Sequence, residues 1–382
     1  MGITGLKGHL KKYAPQAIGE IHLDALRGTR VAIDALNLIY ITYPNARKKV
    51  ISNIDVTRYD PPESEIFRAW MNNLFDIIRI FVSYSITPVF VFDGERPKEK
   101  AETNRKRIED RIKTKERMLS YKEEVRNMDP LLITEDMVHK LRRHMINTRE
   151  LSFDSITEFK LLLRKLGIPN VQAKYEGEQL CAMYALEGVV SAVFSTDTDN
   201  LAYGVPFIIT RIGRLIETPK GYMFTAECMW YENVLKQLDY TPEKFLDLCI
   251  MAGCDYNSNI PKIGIGRAWT LLNEYDRIED LPSHFRKIPL NTSILKYERC
   301  REMFQPVPSE SLVEDGFLDY DRDKLIMLAP ILEDLMIFSN QKYLVRGFEI
   351  LDKPVSKISS LPPAPSLPEI KKCKNVILRI HS

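Results

Sequence analysis

The sequence has no apolar run approaching the roughly 18 residues that cross a bilayer, and its first residues hold no apolar signal-peptide core. It also has no CxxC pair. Its six cysteines are irregularly spaced, the nearest two being Cys249 and Cys254 in an apolar helical context. These absences argue against a membrane span, a paired-cysteine zinc site and a disulfide framework, and they predict reduced, buried thiols in an intracellular protein. Met1-Gly2 opens the chain, but Leu6 stands where myristoylation needs Ser or Thr. Net charge is nearly absent as well: +2 over 382 residues says little about partners. Charge is instead local, with ten Lys/Arg against five Asp/Glu in residues 96–117. At 45% hydrophobic and 28% charged, the chain is of ordinary globular composition and long enough for one large domain or two to three smaller ones.

What the sequence does have is paired acids. Glu176-x-Glu178 opens an apolar-periodic helix, and Asp197-x-Asp199 ends an apolar run, Ala192-Val193-Phe194-Ser195, that reads as a buried strand. Four carboxylates converging on one strand end repel: two like charges about 4 Å apart cost about 4 kcal/mol at an effective dielectric near 20. A hard divalent cation with oxygen ligands relieves that repulsion, so the pairs point to a metal site. Residues 30–34 and 87–92 read as further strands, each followed or ended by an aspartate, Asp34 and Asp93. Strands alternating with helices (65–84, 153–166, and after Glu176) indicate an α/β fold with a largely parallel sheet, whose ligands gather beyond the strand C-termini.

Three further stretches carry signal. The segment 95–129 is highly charged with few large apolar residues, so it projects into solvent or lines something polar. Residues 240–275 read as helix, Gly-rich turn, helix, with Asp255 just before the turn and Lys262, Gly264 and Gly266 within it. Such a turn presents backbone N–H groups to phosphate, although a plain structural turn fits the pattern too. Residues 206–210, 214–217 and 221–224 read as short β-like runs, 320–350 as one or two helices, 361–368 as a Pro-rich linker, and Lys371-Lys372-Cys373-Lys374 as a solvated tail.

Together these pieces resemble the 5′ flap endonuclease/XPG superfamily of structure-specific nucleases. The resemblance rests on six blocks in order: Met1-Gly2-Ile3-Thr4-Gly5-Leu6, Ile33-Asp34-Ala35, Val91-Phe92-Asp93-Gly94, Glu176-Gly177-Glu178-Gln179, Ser195-Thr196-Asp197-Thr198-Asp199 with Tyr203-Gly204, and Gly253-Cys254-Asp255-Tyr256. It implies an α/β, PIN-like nuclease core, with a largely parallel central sheet flanked by helices, a helical arch and a helix–two-turn–helix DNA-binding element. The implied regions are 1–107 (N-terminal nuclease region), 95–150 (arch), 151–240 (internal nuclease region), 241–300 (helix–two-turn–helix), 301–350 (C-terminal helices) and 351–382 (tail).

The resemblance also implies roles. Asp34, Asp93, Glu176, Glu178, Asp197, Asp199 and Asp255 are expected to hold two Mg²⁺ ions, with Mn²⁺ as a substitute, for in-line phosphodiester hydrolysis. Lys100 and Arg107, seven and fourteen residues after Asp93, are expected on one face of the arch helix, gripping the scissile phosphate. Tyr40 corresponds to a base-stacking aromatic, although a core tyrosine is the commoner fate of such a residue. Gly2 is expected close to the DNA. Arg47 is a further candidate phosphate contact, with Pro44 expected to break its helix. Lys262, Gly264 and Gly266 are expected to meet duplex phosphate, with K⁺ at the turn, but whether Lys262-Ile263-Gly264 or Gly264-Ile265-Gly266 takes the family's place is open. The expected partner is branched or flapped DNA, bound by a monomer in the nucleus or another site of DNA replication. No Gln-x-x-aliphatic-x-x-aromatic-aromatic motif supports recruitment by a sliding clamp. A 5′→3′ exonuclease, an RNA-directed relative, a non-catalytic junction scaffold and a phosphatase are the competing expectations.

Overall fold

The computed structural model describes residues 2–95, 97–148, 151, 153–218 and 221–319. The expected helices at 320–350, the Pro-rich segment and the lysine tail lie outside them. The strands are β1 (Ile18–His22), β2 (Arg30–Asp34), β3 (Thr87–Phe92), β4 (Asn170–Ala173), β5 (Ala192–Phe194), β6 (Phe207–Thr218), β7 (Gly221–Trp230), a short hairpin of β8 (His284–Phe285) and β9 (Ile288–Pro289), and β10 (Val313–Phe317). The helices are α1 (Leu6–Tyr13), α2 (Ala35–Ile51), α3 (Glu63–Ser83), α4 (Ala101–Arg126), α5 (Glu135–Asn147), α6 (Phe153–Lys165), α7 (Gly177–Leu186), α8 (Asp199–Ala202), α9 (Tyr231–Leu238), α10 (Pro242–Ala252), α11 (Ile265–Tyr275) and α12 (Tyr297–Met303).

Eight strands form one sheet in the order β1-β7-β6-β5-β2-β3-β4-β10. Its centre, from β6 through β4, is parallel, and both edges are antiparallel. β2 and β3 are buried at nearly every position because helices cover both faces. Alternate residues enter opposite layers. Ala32, Val89, Val91 and Val193 join a core with α1, α7, α10 and α11, whereas Val31, Ile33, Phe90, Phe92 and Phe194 join one with α2, α3 and α6. The result is a three-layer α/β/α body whose parallel strands β5, β2, β3 and β4 end side by side. Their C-terminal edge is where the acidic residues emerge.

α4 and α5 form the expected arch. α4 is largely exposed, as its charge demands, and closes on α5 through a small separate core of Ile51, Val56, Met118, Val125, Leu141 and Met145.

Three expectations change. Pro44 does not break its helix: α2 runs through it. A proline there removes only one intrahelical bond, and packing holds the helix; Trp70 Nε1 donates to Thr42 Oγ1 at 3.1 Å. The three short β-like runs at 206–224 are two long strands, since irregularities between Ile209 and Arg211 and between Ile212 and Leu215 interrupt the alternation without ending the ladder. Finally, the described part of 301–350 is not all helical, because β10 pairs antiparallel with β4.

Candidate metal centre and active site

Each acid is placed by an element boundary. Asp34 ends β2 and caps α2, its Oδ1 accepting from Asn37 N at 3.0 Å. Asp93 follows β3 and accepts from Gly177 N at 2.8 Å. A side chain at position 177 would crowd Asp93 Oδ1, so the glycine between Glu176 and Glu178 permits this approach. Glu176 precedes α7 and Glu178 lies in its first turn. Asp197 follows β5, its Oδ1 accepting from Asp199 N at 3.2 Å, and Asp199 opens α8. Asp255 comes from the turn after α10. Helix N-termini stabilise nearby negative charge, and three helices, α2, α7 and α8, begin at these acids.

One cleft is lined by Asp34, Asp93, Glu176, Glu178, Asp197 and Asp255 together with Tyr40, Lys100, Asn104, Arg107, Ile108 and Arg111. Asp199 lies just beneath, fully buried. Carboxylate oxygens of Glu178, Asp197 and Asp199 come within 4.8 Å of one another. Both Asp199 oxygens are buried and accept no hydrogen bond from the protein. Three hard oxygen donors so close, one with two orphaned atoms, are a donor set for a divalent cation.

The electrostatics agree. Burial, then the Asp93 charge, raises Asp34 well above the usual carboxylate range against the pull of the Asn37 amide. Burial and then Glu178 do the same to Asp199, and they push Asp197 up to about 7. Glu176 is also pushed up to about 7 by burial, even though Lys100 pulls it down. The protein's own cations thus do not neutralise the cluster. Lys100 Nζ lies 2.5 Å from Glu176 Oε2, 2.8 Å from Glu178 Oε1 and 3.5 Å from Asp255 Oδ2. Burial pulls its pKa down, but Glu178, Glu176 and Asp255 outweigh that and keep it charged. Arg107 Nη2 reaches Asp255 Oδ1 at 2.8 Å.

All seven sequence-predicted acids, with Lys100, Arg107 and Tyr40, are therefore brought to one place. Two family models match the chain: the XPG N-terminal domain over residues 1–114 and the XPG I-region over 167–255. The relative flap endonuclease 1 of Debaryomyces hansenii is 30% identical over 312 residues, covering 80% of this chain and 76% of that protein. The chain belongs to the XPG/flap endonuclease family. Flap endonuclease 1 of Cryptosporidium muris is 31% identical over 341 residues, covering 88% of this chain and 67% of that protein. Among solved structures, flap endonuclease-1 from Methanococcus jannaschii superposes with a TM-score of 0.53 at 23% identity, over 87% of this chain and 96% of that chain. The catalytic core of Rad2 in complex with DNA substrate gives 0.57 at 19% identity, over 92% and 98%. At such identities these two structures speak for the fold.

The remaining candidates of this family member are placed as follows. Gly2 lies against Asp197 and Thr198, where a side chain would collide with Asp197 Oδ1. Gly264 caps α11, so Lys262-Ile263-Gly264 forms the turn and Gly266 already lies in the helix. Lys262, Gly264 and Gly266 are all exposed, and no side chain caps the first-turn amides. Lys262 adopts a left-handed φ of 67°. Arg47 is not brought to the cleft. It is buried, with Nη2 donating to Met145 O at 2.9 Å and Nη1 3.6 Å from Glu63 Oε1, so it braces α2 against α5.

Sequence reasoning assigned no role to four neighbours. Arg111 stands over the Tyr40 ring, 5.5 Å from its centroid; its position four residues after Arg107 on the same helix face was a readable signal. Asn37 Oδ1 accepts from Thr196 N at 3.0 Å and fastens the start of α2 to the Asp197 loop. The Tyr203 and Tyr256 hydroxyls meet at 3.1 Å beneath Lys100, whose Nζ is 5.1 Å from the Tyr256 centroid.

Proposed function

We propose that this chain is a structure-specific 5′ nuclease that hydrolyses a phosphodiester where a single strand joins a duplex, using two divalent ions, Mg²⁺ or Mn²⁺ in its place. The observation that carries the reading is one cleft lined by six carboxylates, with Asp199 buried beneath, and by Lys100 and Arg107 of the arch segment. Glu178, Asp197 and Asp199 would hold one ion, and Asp34, Asp93, Glu176 and Asp255 would supply oxygens to the second, directly or through water. The bound metal supplies an activated water and stabilises charge on the phosphate.

This chain's residues do the rest. Lys100 and Arg107 exchange their carboxylate partners for the scissile phosphate. Tyr40, at the cleft's other end, offers a stacking face to the base beside the cut. Ile108 and Leu36 give the cleft its apolar lining. The amides opening α11 and the Lys262 ammonium take a phosphate of the duplex. At residues 256–267 the chain offers carbonyls and amides but no carboxylate, so we assign K⁺ rather than Mg²⁺ to that turn. One chain supplies every group named, so a monomer suffices, working where flapped DNA arises during replication, the nucleus in a cell that has one.

The test is a cleavage panel of 5′-flap, nicked, gapped, bubble and RNA substrates labelled at both ends, with and without Mg²⁺. Metal-dependent cutting near the flap junction is expected. Mostly mononucleotide products, or a preference for RNA, redirect the reading to an exonuclease or an RNA enzyme. Tight junction binding without cutting would mean a scaffold.

A further inference from the structure

The arch is tied down at its far end as well as at the cleft. The tie is the connection between α2 and α3, residues 52–62. Asp60 in that connection accepts from Lys122 Nζ at 3.0 and 3.2 Å and from Arg126 Nη2 at 3.1 Å, both on α4. Arg126 Nη2 also donates to Val56 O at 3.2 Å, and Arg142 Nη2 of α5 donates to Ile54 O at 3.2 Å. The fully buried Val56 side chain enters the small core that α4 and α5 share. At its other end α4 begins beside Lys100, which sits on Glu176 and Glu178. The protein's own side chains thus fasten the arch at both ends.

We propose that Asp60 and Val56 latch the arch shut before substrate arrives, and that this latch sets a specificity: the single strand must carry a free 5′ end, because it passes through a closed arch and cannot enter from the side. The effect on cutting rests on the function proposed above; the latch itself does not.

The latch has a fixed part and an adjustable part. Val56, Val125 and Leu141 are all fully buried, and with Ile51 they join the connection and α2 to both arch helices. Without Ile51 and Val56, two largely exposed helices would share only Met118, Val125, Leu141 and Met145. Helices hold their place mainly through such packing, so freeing the connection lets the arch open. Asp60 is the adjustable part, since 57% of its side chain is exposed. Burial pushes its carboxyl up, but the bonds from Lys122 and Arg126 outweigh that and hold it below the usual carboxylate range, so both cations meet an ionised group. A pair so exposed shifts an equilibrium by no more than about fivefold. Docking also has a cost: Arg126 Nε and Arg142 Nε are buried without a hydrogen-bond partner, and water satisfies them when the connection lifts. The latch is therefore firm enough to hold the arch and weak enough for one substitution to loosen it.

The experiment compares wild type, Asp60→Asn and Val56→Ala in two assays. Trypsin digestion without DNA reads access to α4, where Arg105, Lys106, Arg111, Lys113, Lys115 and Arg117 are exposed to solvent but held in a helix. Single-turnover cleavage with Mg²⁺ compares a flap with a free 5′ end and one capped by biotin and streptavidin before protein is added. Wild type is expected to resist trypsin in α4. It is also expected to cut the capped flap at least about tenfold more slowly than the free one, the penalty of an open arch populated at about 10% or less. Asp60→Asn should speed tryptic cutting within the arch and narrow the ratio of free to capped rates, each by about two- to fivefold. Val56→Ala should do both to a greater degree. Variants as resistant to trypsin as wild type overturn the proposal. So do an unchanged ratio in both variants, equal rates on the two flaps in wild type, or tryptic cuts spread over the whole chain, which would make the two residues merely structural. If wild type cuts no flap at all, the nuclease reading fails, while the tryptic pattern still decides the latch.

Discussion

Lys100 Nζ lies 2.5 Å from Glu176 Oε2 and 2.8 Å from Glu178 Oε1, so the cation assigned to the substrate phosphate is held by the carboxylates assigned to the metal. The ammonium therefore has two competing partners, and removing it should affect metal and substrate in opposite directions. Lys100→Met keeps the stem beside Tyr256 and deletes the charge. Mn²⁺ binding without DNA should tighten several-fold, while flap cleavage at saturating Mg²⁺ should fall about 10²-fold, the usual cost of losing one transition-state donor. Calorimetric Mn²⁺ titration and single-turnover cleavage check the two halves. Weaker Mn²⁺ binding in the variant would show that Lys100 is not competing for the site.

Asp199 leads to a second, opposed pair of outcomes. Its carboxylate is fully buried and neither oxygen accepts a hydrogen bond, so in metal-free protein it costs stability. Asp199→Asn should raise the melting temperature in EDTA by an amount corresponding to about 1–3 kcal/mol. The same change should abolish the stabilisation that Mg²⁺ gives the wild type, and cleavage with it. A lower melting temperature in EDTA would mean that Asp199 has a structural partner instead.

The seven acids were legible because each sits where local rules are strong: after a buried strand, at a helix N-terminus, or, for Asp255, just past a helix that ends in glycine. Asp34 ends an apolar strand, and Gly177 permits the approach of α7 to Asp93. What stayed hidden depends on distant parts of the chain. β1 pairs with β7 and β10 with β4, far apart in sequence, and neither short strand has a period strong enough to show itself. Pro44 misled because the contact that holds α2 together there comes from Trp70 on α3. Arg47 misled for a similar reason: its partners, Met145 and Glu63, lie on α5 and α3, and nothing near position 47 predicts that they bury it.

Arg111 and Tyr40 allow a graded test of base stacking. The guanidinium is 5.5 Å from the ring centroid, and its Nη2 is 3.5 Å from the hydroxyl, a weak contact. Tyr40→Phe should therefore cut at nearly the wild-type rate. Tyr40→Ala should lose about 1–3 kcal/mol of stacking, read as a drop of about 5- to 160-fold in kcat/KM, and should spread the cut over neighbouring positions. Sequencing-gel analysis of end-labelled flaps measures both. An unchanged cut position in Tyr40→Ala would return the residue to a packing role.

His9 supplies a pH test away from the metal centre. It packs α1 onto α11, 4.5 Å from the Tyr13 ring and 5.3 Å from that of Trp269, and its Nε2 is buried without a hydrogen-bond partner. Burial, and then the Lys12 charge, lowers its pKa from 6.5 to about 4. A lowered folded-state value means that the neutral ring is favoured on folding. Its stabilising contribution is present above about pH 6.5 and is lost as pH falls through about 4. The whole shift is worth at most about 3.5 kcal/mol. Asp197 and Glu176, both raised to about 7, act in the opposite sense in metal-free protein, stabilising at low pH and losing that contribution as pH rises through 7. The informative quantity is therefore the difference between wild type and His9→Phe. Urea unfolding of metal-free protein at about pH 7.5 and about pH 4.5, near the two ends of that window, should show wild type losing more stability than His9→Phe on acidification. Parallel pH dependence in the two proteins would mean that His9 takes up its proton without disturbing the α1–α11 contact.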